Sequence, residues 1–592
     1  MNKFDDRQRP NTFQLIYPFW ISGESWKSWI LVGVCLGNAF GGVYMAVWSN
    51  RLAGQVVDAM VKREWSGLRP VLLMALGVSV ASVILSIIGY IAYQLLNLEW
   101  RTWMTQYYVN AWVKRRAYYE MERDELVSNA DQRISQDIPM FIADTMNLVF
   151  DFIRVIATLI SFSAILWVVS GTLTLVCFGR HVSIPGYMLY VALLYQGISF
   201  VITHLSGRRL IPLLFDKQTV EADFRYLGMQ IRENAEQIAF YRGGERERHH
   251  LIARFGEVIK NWRSIIYTTS RMMLFRDTYI QTGSIVPTVA ALPRYLAGAI
   301  SLGDVTRITG AFNQVSGALS FFTQAYQSVT EWLALSHRLR DLHWAIFRAE
   351  HLPRNIEVTR HDGGQIELGA ISLALPNGEI MARVPPVRIV QGERWLIRGR
   401  SGVGKSTYLR AISGIWPYGK GSVRLPQGAT LMFLPQRSYI PSGSLKAALC
   451  YPSDASRFSD EQCRDVLRQC LLGGYVDGLG ATNRWQQRLS GGEQQRLAIA
   501  RVILHRPDFV FLDEATTALD SETEKALYMA LIDRLPNSSI ISVAHREALE
   551  VFHDHVLELR GADERYPMPS LSPAMALNIN SDPLASPPTG SN

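Results

Sequence analysis

The sequence predicts two structural halves: an α-helical membrane bundle over residues 29–340 and an α/β domain over residues 354–561. Two observations lead to this prediction. The first half repeatedly offers stretches of about 18 or more weakly charged residues, the length that a helix needs to cross a bilayer. The second half alternates short apolar or β-branched runs with helix-length segments, which is typical of an α/β fold.

Composition agrees with a folded, partly apolar chain. Of its 592 residues, 48% are hydrophobic and 19% are charged, which excludes disorder for most of the length. The five cysteines form no CxxC pair, which disfavours a disulfide framework or a structural zinc site. Lys and Arg number 60 against 52 acids, a net charge of +8. Such an excess suits either nucleic acid or anionic lipid, and its distribution favours lipid.

Residues 1–28 are predicted to form a cytoplasmic N-terminal segment with an elbow. The segment contains acids and prolines, and the apolar run that follows it is too long for a signal peptide and lacks a small-residue cleavage site. We therefore expect the first membrane span to be retained.

Six membrane spans are predicted within residues 29–340, with long intracellular helical extensions. The first two are the most apolar, and the last alternates polar and apolar residues, as a helix does when one side faces a bundle interior. An amphipathic soluble helix is the alternative for that last segment. The predicted spans are 29–49, 70–96, 148–169, 187–205, 278–300 and 306–334.

Charge between the spans sets the predicted orientation. With the N-terminus inside, the cytoplasmic segments 99–146 and 206–276 contain 6 and 13 Lys and Arg residues. The outer segments 51–69, 170–186 and 301–307 contain 4, 1 and 1. This asymmetry follows the positive-inside rule.

Three further segments receive a prediction. Residues 341–353 are taken as a linker, and residues 562–592, rich in Pro, Ser and Asn, as a disordered tail. In the cytoplasmic segment around residues 234–247, Ile238 and Phe240 are expected to pack inward.

The run GRSGVGKST satisfies the strand, loop and helix context of a P-loop, because it follows the apolar run RWLI and precedes a helical pattern. Backbone N–H groups at such a helix N-terminus cradle phosphate. Lys405 is expected to reach the β- and γ-phosphates, and the Ser406 hydroxyl to bind Mg²⁺. The predicted phosphate-binding residues are Gly399, Arg400, Ser401, Gly402, Val403, Gly404, Lys405, Ser406 and Thr407.

Two acids follow the buried-strand pattern FVFLDE. Asp513 suits the Mg²⁺ shell, and Glu514 suits a general base for the attacking water. Without the P-loop, a buried strand that ends in two solvated acids would be the better interpretation. LSGGEQQR, which begins at Leu489, supplies a second anion site at a helix N-terminus.

Together these motifs resemble the ATPase of an ABC transporter: GRSGVGKST, LPQ, LSGGEQQR, FVFLDE, ALD and His545 occur in the order of the Walker A, Q-loop, signature, Walker B, D-loop and H-loop. The resemblance implies that Gln436 senses Mg²⁺ and water and that His545 contacts the γ-phosphate. It also implies that the signature residues close over ATP on a partner's P-loop. The residues implied for that second contact are Ser490, Gly491, Gly492 and Asp520.

One departure from the ABC ATPase pattern concerns the residue that contacts the adenine base of ATP. ABC ATPases often stack adenine on an aromatic residue some twenty positions before the P-loop lysine, yet residues 377–385 contain none. An apolar contact, or one supplied from elsewhere, is expected instead.

The membrane half narrows the resemblance. Six spans that precede the ATPase are similar to the exporter-type ABC fold. The segments NAEQIAFYRGGERE, NADQRISQDI, GIWPYGKG and YPFWISGESWKSWILV resemble the peroxisomal fatty-acyl transporters of ABC subfamily D and, more closely, the bacterial SbmA/BacA-like group. That group includes importers of cobalamin and hydrophilic peptides.

The resemblance implies an ATP- and Mg²⁺-dependent homodimer in a bacterial inner membrane, with cytoplasmic ATPase domains and no nucleic-acid partner. Because each ATP site needs two ATPase units, a two-fold dimer is the simplest assembly; a heterodimer stays open. Uptake of a bulky hydrophilic solute is expected, and export of lipid, acyl-CoA or drug is the alternative. A nucleotide-gated channel is disfavoured by the intact Glu514, and a soluble nucleic-acid ATPase by the apolar spans.

A charged residue within a span can either pair with a neighbouring charge or contact the transported solute. Asp151 and Arg154, at i and i+3, are expected to pair near the inner membrane boundary. Arg294 lies deeper in the predicted fifth span and is the better candidate for contact with a transported solute.

Overall fold

Long helices dominate the first of two units, Met1–Arg348, and the second unit, Ala349–Asn592, is mixed α/β. The structure is a computed structural model that describes residues 9–23, 25–177, 180–207, 209–283, 285–544 and 547–561. The predicted tail at 562–592 lies outside the described residues.

Twelve α-helices occur among the described residues of the first unit. They are α1 (Thr12–Trp20), α2 (Ser25–Lys62), α3 (Trp65–Val113), α4 (Ala117–Arg123), α5 (Ala130–Gln132), α6 (Ile138–Ser170), α7 (Tyr187–Gly207), α8 (Leu210–Glu233), α9 (Ala235–Phe240), α10 (Gly244–Gly283), α11 (Val286–Leu296) and α12 (Leu302–Glu350).

Three helical segments are long and apolar enough to cross a membrane: α2, α3 and Ala130–Ser170, which includes α6. A shorter apolar stretch, Tyr187–Ile202, lies in α7. The first three predicted spans lie within the three long segments, and the fourth, 187–205, lies within α7. The count of six spans stays a prediction, because the search of the described residues finds only these.

The fifth predicted span, 278–300, is not one helix. α10 ends at Gly283, and α11 covers only Val286–Leu296. Eleven residues rise about 16 Å, roughly half of a bilayer core. Pro287 occupies the first turn of α11, where its missing N–H costs nothing, and so favours a new helix start.

A β-hairpin lies in segment 170–186, for which the sequence predicted only an outer loop. β1 (Thr172–Cys177) pairs antiparallel with β2 (Arg180–Pro185) in the register Thr172 to Pro185. Gly171 and Gly186 flank the pair with φ of +57° and +60°, a conformation that glycine adopts without strain.

The predicted linker 341–353 is mostly helical, because α12 continues to Glu350. Leu342, Ala345, Ile346 and Ala349 are buried at the i, i+3, i+4, i+7 spacing of one helix face. The prediction that Phe240 packs inward is wrong in this structure, since 78% of its surface is exposed.

Helices α6, α7, α11 and α12 share one apolar core, which includes Phe162, Met188, Ala291 and Phe312. Outside it, apolar side chains such as Val83, Ile84 and Ile87 on α3 are exposed. So large an apolar surface is costly in water and favourable against lipid tails.

The described residues of the second unit form three sheets, of five, six and two strands, and six α-helices. Its strands are β3 (Ile356–His361), β4 (Gln365–Leu368), β5 (Ile371–Ala374), β6 (Ile380–Val384), β7 (Val387–Val390), β8 (Arg394–Arg398), β9 (Gly419–Pro426), β10 (Leu431–Leu434), β11 (Gly443–Ser444), β12 (Thr482–Asn483), β13 (Phe509–Asp513), β14 (Ser539–Val543) and β15 (His555–Glu558). Its helices are α13 (Lys405–Ile412), α14 (Leu445–Cys450), α15 (Asp460–Gln469), α16 (Trp485–Arg488), α17 (Gly491–His505) and α18 (Ser521–Arg534).

A parallel sheet of order β10, β13, β14, β8, β15 positions the site. Strand β13 is buried on both faces, which is typical of a strand inside a parallel sheet. Phe509 and Phe511 pack into one core, and Val510 and Leu512 into the other, because successive side chains alternate across a sheet. The carboxyl ends of β8 and β13 therefore open on the same edge.

Candidate functional site

The predicted P-loop joins β8 to α13. Gly404 precedes the helix with a φ of +104°, which a residue with a Cβ adopts only under strain. A Cβ on Gly399 would lie 2.6 Å from the carbonyl oxygen of Leu559. Both glycines are thus required for the turn that aims the first N–H groups of α13 into the loop.

The Lys405 ammonium lies inside this loop. Its Nζ donates to the carbonyl oxygens of Gly399 at 2.9 Å and Arg400 at 3.0 Å. Burial lowers the pKa of Lys405, and the carboxylates of Glu514 and Asp513 partly offset that effect. A cation held in a loop of backbone N–H groups fits a polyphosphate.

Ser406 and Asp513 meet across the loop, with the Ser406 hydroxyl donating to Asp513 Oδ1 at 2.8 Å. Burial raises the pKa of Asp513, and the neighbouring Glu514 raises it further, while the Ser406 hydrogen bond opposes both. Two hard oxygen ligands side by side are the donor set that Mg²⁺ prefers, so these residues fit the predicted ion.

Glu514 and Gln436 also come together, as the Gln436 amide donates to Glu514 Oε2 at 2.9 Å. Glu514 has a φ of +49°, a left-handed conformation that costs a non-glycine residue roughly 1–3 kcal/mol. Its N–H donates to the carbonyl of Val543 on β14, which holds this conformation. The carboxylate is thereby fixed at the strand end. His545 lies outside the described residues.

The signature motif begins α17. Ser490 is the N-cap, and the Ser490 and Glu493 side chains each bond the other's backbone N–H in a capping box. Tyr475 donates to Glu493 Oε1 at 3.0 Å and fixes that carboxylate. Gly491 and Gly492 leave the first turn of the helix without side chains, so its N–H groups stay accessible to an anion.

Asp520 caps α18, accepting from the N–H groups of Glu522 at 3.1 Å and Thr523 at 2.9 Å. These bonds lower the pKa of Asp520. Asp520 therefore caps the N-terminus of its own helix with these two bonds.

Gln495 is a connection that the sequence interpretation missed. It is buried on α17, where its Oε1 accepts from the Ala518 N–H at 2.9 Å and its Nε2 lies 3.4 Å from Thr517 Oγ1. This side chain ties the signature helix to the D-loop. The only sequence signal was its place inside the run LSGGEQQR.

The described residues form two clusters of predicted site residues. One contains Lys405, Ser406, Gln436, Asp513 and Glu514, and the other joins the signature helix to the D-loop. Thr517 lies between them, because its hydroxyl donates to the backbone carbonyl of Glu514 at 3.1 Å and accepts from Gln495 Nε2 at 3.4 Å. Among the described residues, the signature residues Ser490, Gly491 and Gly492 have no hydrogen bond to the P-loop of their own chain.

Apolar side chains lie beside the P-loop, and one of them belongs to the segment 377–385, which lacks the aromatic residue that often stacks on adenine. Met381 and Leu373 come within 3.7 Å of the position that a Cβ on Gly404 would occupy. Met381 belongs to the segment 377–385, so an apolar side chain of that segment does border the phosphate loop.

The two arginines singled out within the predicted spans, Arg154 and Arg294, each donate a hydrogen bond within the first unit. Arg154 donates to Asp151 at 2.8 Å, which confirms the predicted pair. Arg294, the predicted solute contact, instead donates to the carbonyl of Ser170, the last residue of α6. It thereby satisfies an unpaired helix-end carbonyl beside the hairpin.

Comparison with known proteins gives two family matches. Residues 16–296 match the family described as ABC transporter transmembrane region 2, and residues 386–517 match the family described as ABC transporter. In the solved structure of a bacterial Atm1-family ABC exporter with ATP bound, 90% of this chain aligns with 95% of that chain at a TM-score of 0.69 and 15% identity. The likeness shows an exporter-type fold.

Two relatives match along most of their length. The inner membrane ABC transporter ATP-binding protein YddA of Escherichia coli is 30% identical over 92% of this chain and 96% of its own. The lysosomal cobalamin transporter ABCD4 of Homo sapiens is 26% identical over 93% of each chain. Both relatives thus combine the two halves found here.

Proposed function

This chain belongs to the ABC transporter family, which couples ATP hydrolysis to transport, and on that premise we propose that two copies of it import a bulky hydrophilic solute. The observation that carries the proposal is the paired geometry at the carboxyl edge of the parallel sheet, where Ser406 meets Asp513 and Gln436 meets Glu514. ATP hydrolysis at such a site needs a nucleotide, a metal ion, a base and a second subunit.

ATP would be bound by the P-loop, residues Gly399 to Thr407. Its phosphates take the place of the loop carbonyls as partners of the Lys405 ammonium, and the N-terminus of α13 adds backbone donors. Ser406, Asp513 and Gln436 would hold Mg²⁺, which would supply positive charge to neutralise the phosphates. Met381 and Leu373 offer apolar surface beside the loop in place of an aromatic base contact.

Glu514 acts as the general base. The strained backbone and the Gln436 amide fix its carboxylate, so that it takes a proton from the attacking water. His545, by its family resemblance, contacts the γ-phosphate.

A second copy completes each site. The signature helix begins with N–H groups that are accessible to an anion, and Ser490, Gly491 and Gly492 have no hydrogen bond to the P-loop among the described residues. A two-fold dimer places this terminus, with Asp520 and the D-loop, against the partner's ATP. ATP then closes the dimer, and hydrolysis opens it.

The cargo proposal rests on the relatives. A human relative is named a lysosomal cobalamin transporter. A hydrophilic peptide is the other cargo considered, on the resemblance to the SbmA/BacA-like group alone. Six spans with a cytoplasmic N-terminus, in a bacterial inner membrane, complete the proposal; the relative YddA carries an inner-membrane name.

Inside-out vesicles test both cargo and direction. Vesicles are preloaded with labelled cobalamin or a labelled cationic peptide, and release is followed after ATP addition. Wild type is expected to release one of these solutes, whereas Glu514→Gln is expected to lose at least about a hundredfold in rate, as enzymes do without their general base.

Glu461→Gln is the matched control, because Glu461 is an exposed acid in the first turn of α15. It is expected to transport like wild type. Accumulation instead of release would make the protein an exporter. Equal flux in wild type and Glu514→Gln, with or without ATP, would make it a channel and refute the proposal.

A further inference from the structure

A basic cavity of about 400 Å³ lies in the first unit beside the end of α7. Three of its described lining residues are arginines, three carry a hydroxyl group and none is acidic. The lining residues are Arg209, Arg263, Ser264, Tyr267, Thr268 and Arg271. Because a guanidinium group stays protonated in proteins, the cavity gathers three positive charges.

Most of these groups share one face of α10. Arg263, Tyr267 and Arg271 are spaced at i, i+4 and i+8, so they follow one another along about 12 Å of the helix. The hydroxyl of Ser264 donates to the carbonyl of Lys260 at 3.2 Å. Besides the guanidinium groups, the hydroxyls of Tyr267 and Thr268 therefore remain as donors for a ligand.

Packing of α8 against α10 places Arg209 opposite this face. The two helices are antiparallel: Phe224 contacts Phe255 at 5.5 Å, and Asn261 donates to the carbonyl of Leu213 at 3.3 Å. In that register, the residue one turn before Leu213 lies level with the residue one turn after Asn261. Arg209 is thus level with the span between Arg263 and Tyr267.

Charge in the cavity is uncompensated by the described residues. Arg254, further along the same helix, lies 3.8 Å from Asp223. No described acid pairs with Arg209, Arg263 or Arg271. Arg209 also precedes the first residue of α8, whose first turn contains no acid, so the positive end of a 24-residue helix dipole adds to the field.

The cavity coincides with the cytoplasmic membrane boundary that the sequence predicts. Arg209 follows the fourth predicted span, which ends at residue 205, and Arg271 precedes the fifth, which begins at residue 278. Basic pockets between membrane helices at this level bind phosphate-bearing headgroups.

We propose that this arginine cavity binds a phosphate-bearing anion, and that its position at the predicted membrane boundary favours the headgroup of an anionic phospholipid over free phosphate. Guanidinium groups donate in pairs to phosphate oxygens, and a phosphate bound among three of them would relieve the repulsion that they exert on one another. The proposal does not depend on the cargo or its direction.

Calorimetric titration of the full-length protein tests it. Delipidated protein in neutral detergent is titrated with short-chain phosphatidylglycerol, or with inorganic phosphate. Every protein in the test carries Lys405→Ala, so that the P-loop does not contribute. Arg263→Gln with Arg271→Gln is expected to weaken binding of the probe at least about tenfold, the loss of one or more charge-assisted bonds.

The two probes distinguish a lipid headgroup from a soluble anion as the ligand. Binding of phosphatidylglycerol that inorganic phosphate does not displace identifies the lipid headgroup, whereas binding of inorganic phosphate alone identifies a soluble anion. Either result supports the cavity only if the double substitution weakens it.

Arg246→Gln with Arg254→Gln is the matched control, because it removes two arginines of the same helix at the same spacing of eight residues. Arg263→Lys with Arg271→Lys keeps the charge but loses the paired donors, and should bind with intermediate affinity. Both double Gln variants must elute and unfold like wild type. Equal binding by the Lys405→Ala protein with and without the Arg263 and Arg271 substitutions to Gln, or equal weakening by the control, would overturn the proposal.

Discussion

At the scale of single residues, His553 forms a buried chain of hydrogen bonds in the ATPase domain. Its Nδ1 lies 2.7 Å from the carbonyl of Leu549, which only accepts, so Nδ1 holds the proton. Its Nε2 lies 2.9 Å from the hydroxyl of Ser542, to which Tyr528 donates at 3.1 Å. The neutral ring is therefore fully satisfied, and burial lowers the pKa of His553 below the ordinary 6.5.

This residue gives a pH prediction. Because the unfolded chain binds the proton more tightly, the folded state loses stability as pH falls through about 6.5, and the loss levels off below the folded pKa. His553→Gln removes that titration. Between pH 7.5 and 5.5 the Tm of His553→Gln should fall by about 2–4 °C less than that of wild type, the shift produced by roughly 1 kcal/mol.

Calorimetry of the full chain at a series of pH values measures this difference. His249→Gln serves as the control, since His249 is exposed on α10, and its Tm should follow wild type. Parallel curves for wild type and His553→Gln would contradict the prediction.

The sequence predicted the site residues that lie within contiguous motifs. The P-loop and the FVFLDE strand are contiguous runs, and their partners Ser406 and Asp513 meet because two parallel strands end together. Gln495 could not be recognised in this way. Its role depends on a contact with Ala518, 23 residues further along, and no local pattern encodes that contact.

At the scale of elements, Gln495 is the link between α17 and the segment before α18. Gln495→Ala leaves the Ala518 N–H without its partner and lets the D-loop move relative to the signature helix. We expect ATP hydrolysis to fall about tenfold, equivalent to roughly 1.4 kcal/mol, the size of one buried hydrogen bond.

A steady-state phosphate-release assay checks this result. Gln487→Ala, at an exposed glutamine of α16, should hydrolyse ATP at the wild-type rate. Gln495→Glu keeps an acceptor for Ala518 and should retain more activity than the alanine variant. Loss of the folded protein in Gln495→Ala, seen as a changed elution volume, would instead mean a structural role alone.

The elements that the sequence missed have a common physical cause. Hydropathy identifies α2, α3 and α6 because a lipid-facing helix must be apolar over its length. The hairpin β1–β2 alternates polar and apolar residues over only six positions a strand, a weak signal within an outer loop. The break before α11 depends on where Pro287 falls, since a helix tolerates proline at its first turn and elsewhere only with a kink.

At the scale of the whole molecule, the signature residues predict a shared ATP site, because among the described residues they have no hydrogen bond to the P-loop of their own chain. If the P-loop of one copy meets the signature of the other, a chain with Lys405→Ala and a chain with Gly492→Asp complement each other. In their mixed dimer, one site combines both defects, and the other site combines an intact P-loop with an intact signature. That dimer should keep up to about half of wild-type ATPase activity, while each variant alone should lose at least about tenfold.

The matched control places both substitutions in one chain and pairs it with a wild-type chain. The mixed dimer then contains the same two substitutions, yet each site has one defect, so activity should be lost. Two affinity tags isolate each mixed dimer for the ATPase assay. A site built within one chain predicts the opposite, because the wild-type subunit would stay active beside its doubly substituted partner, and the complementing pair would be inactive.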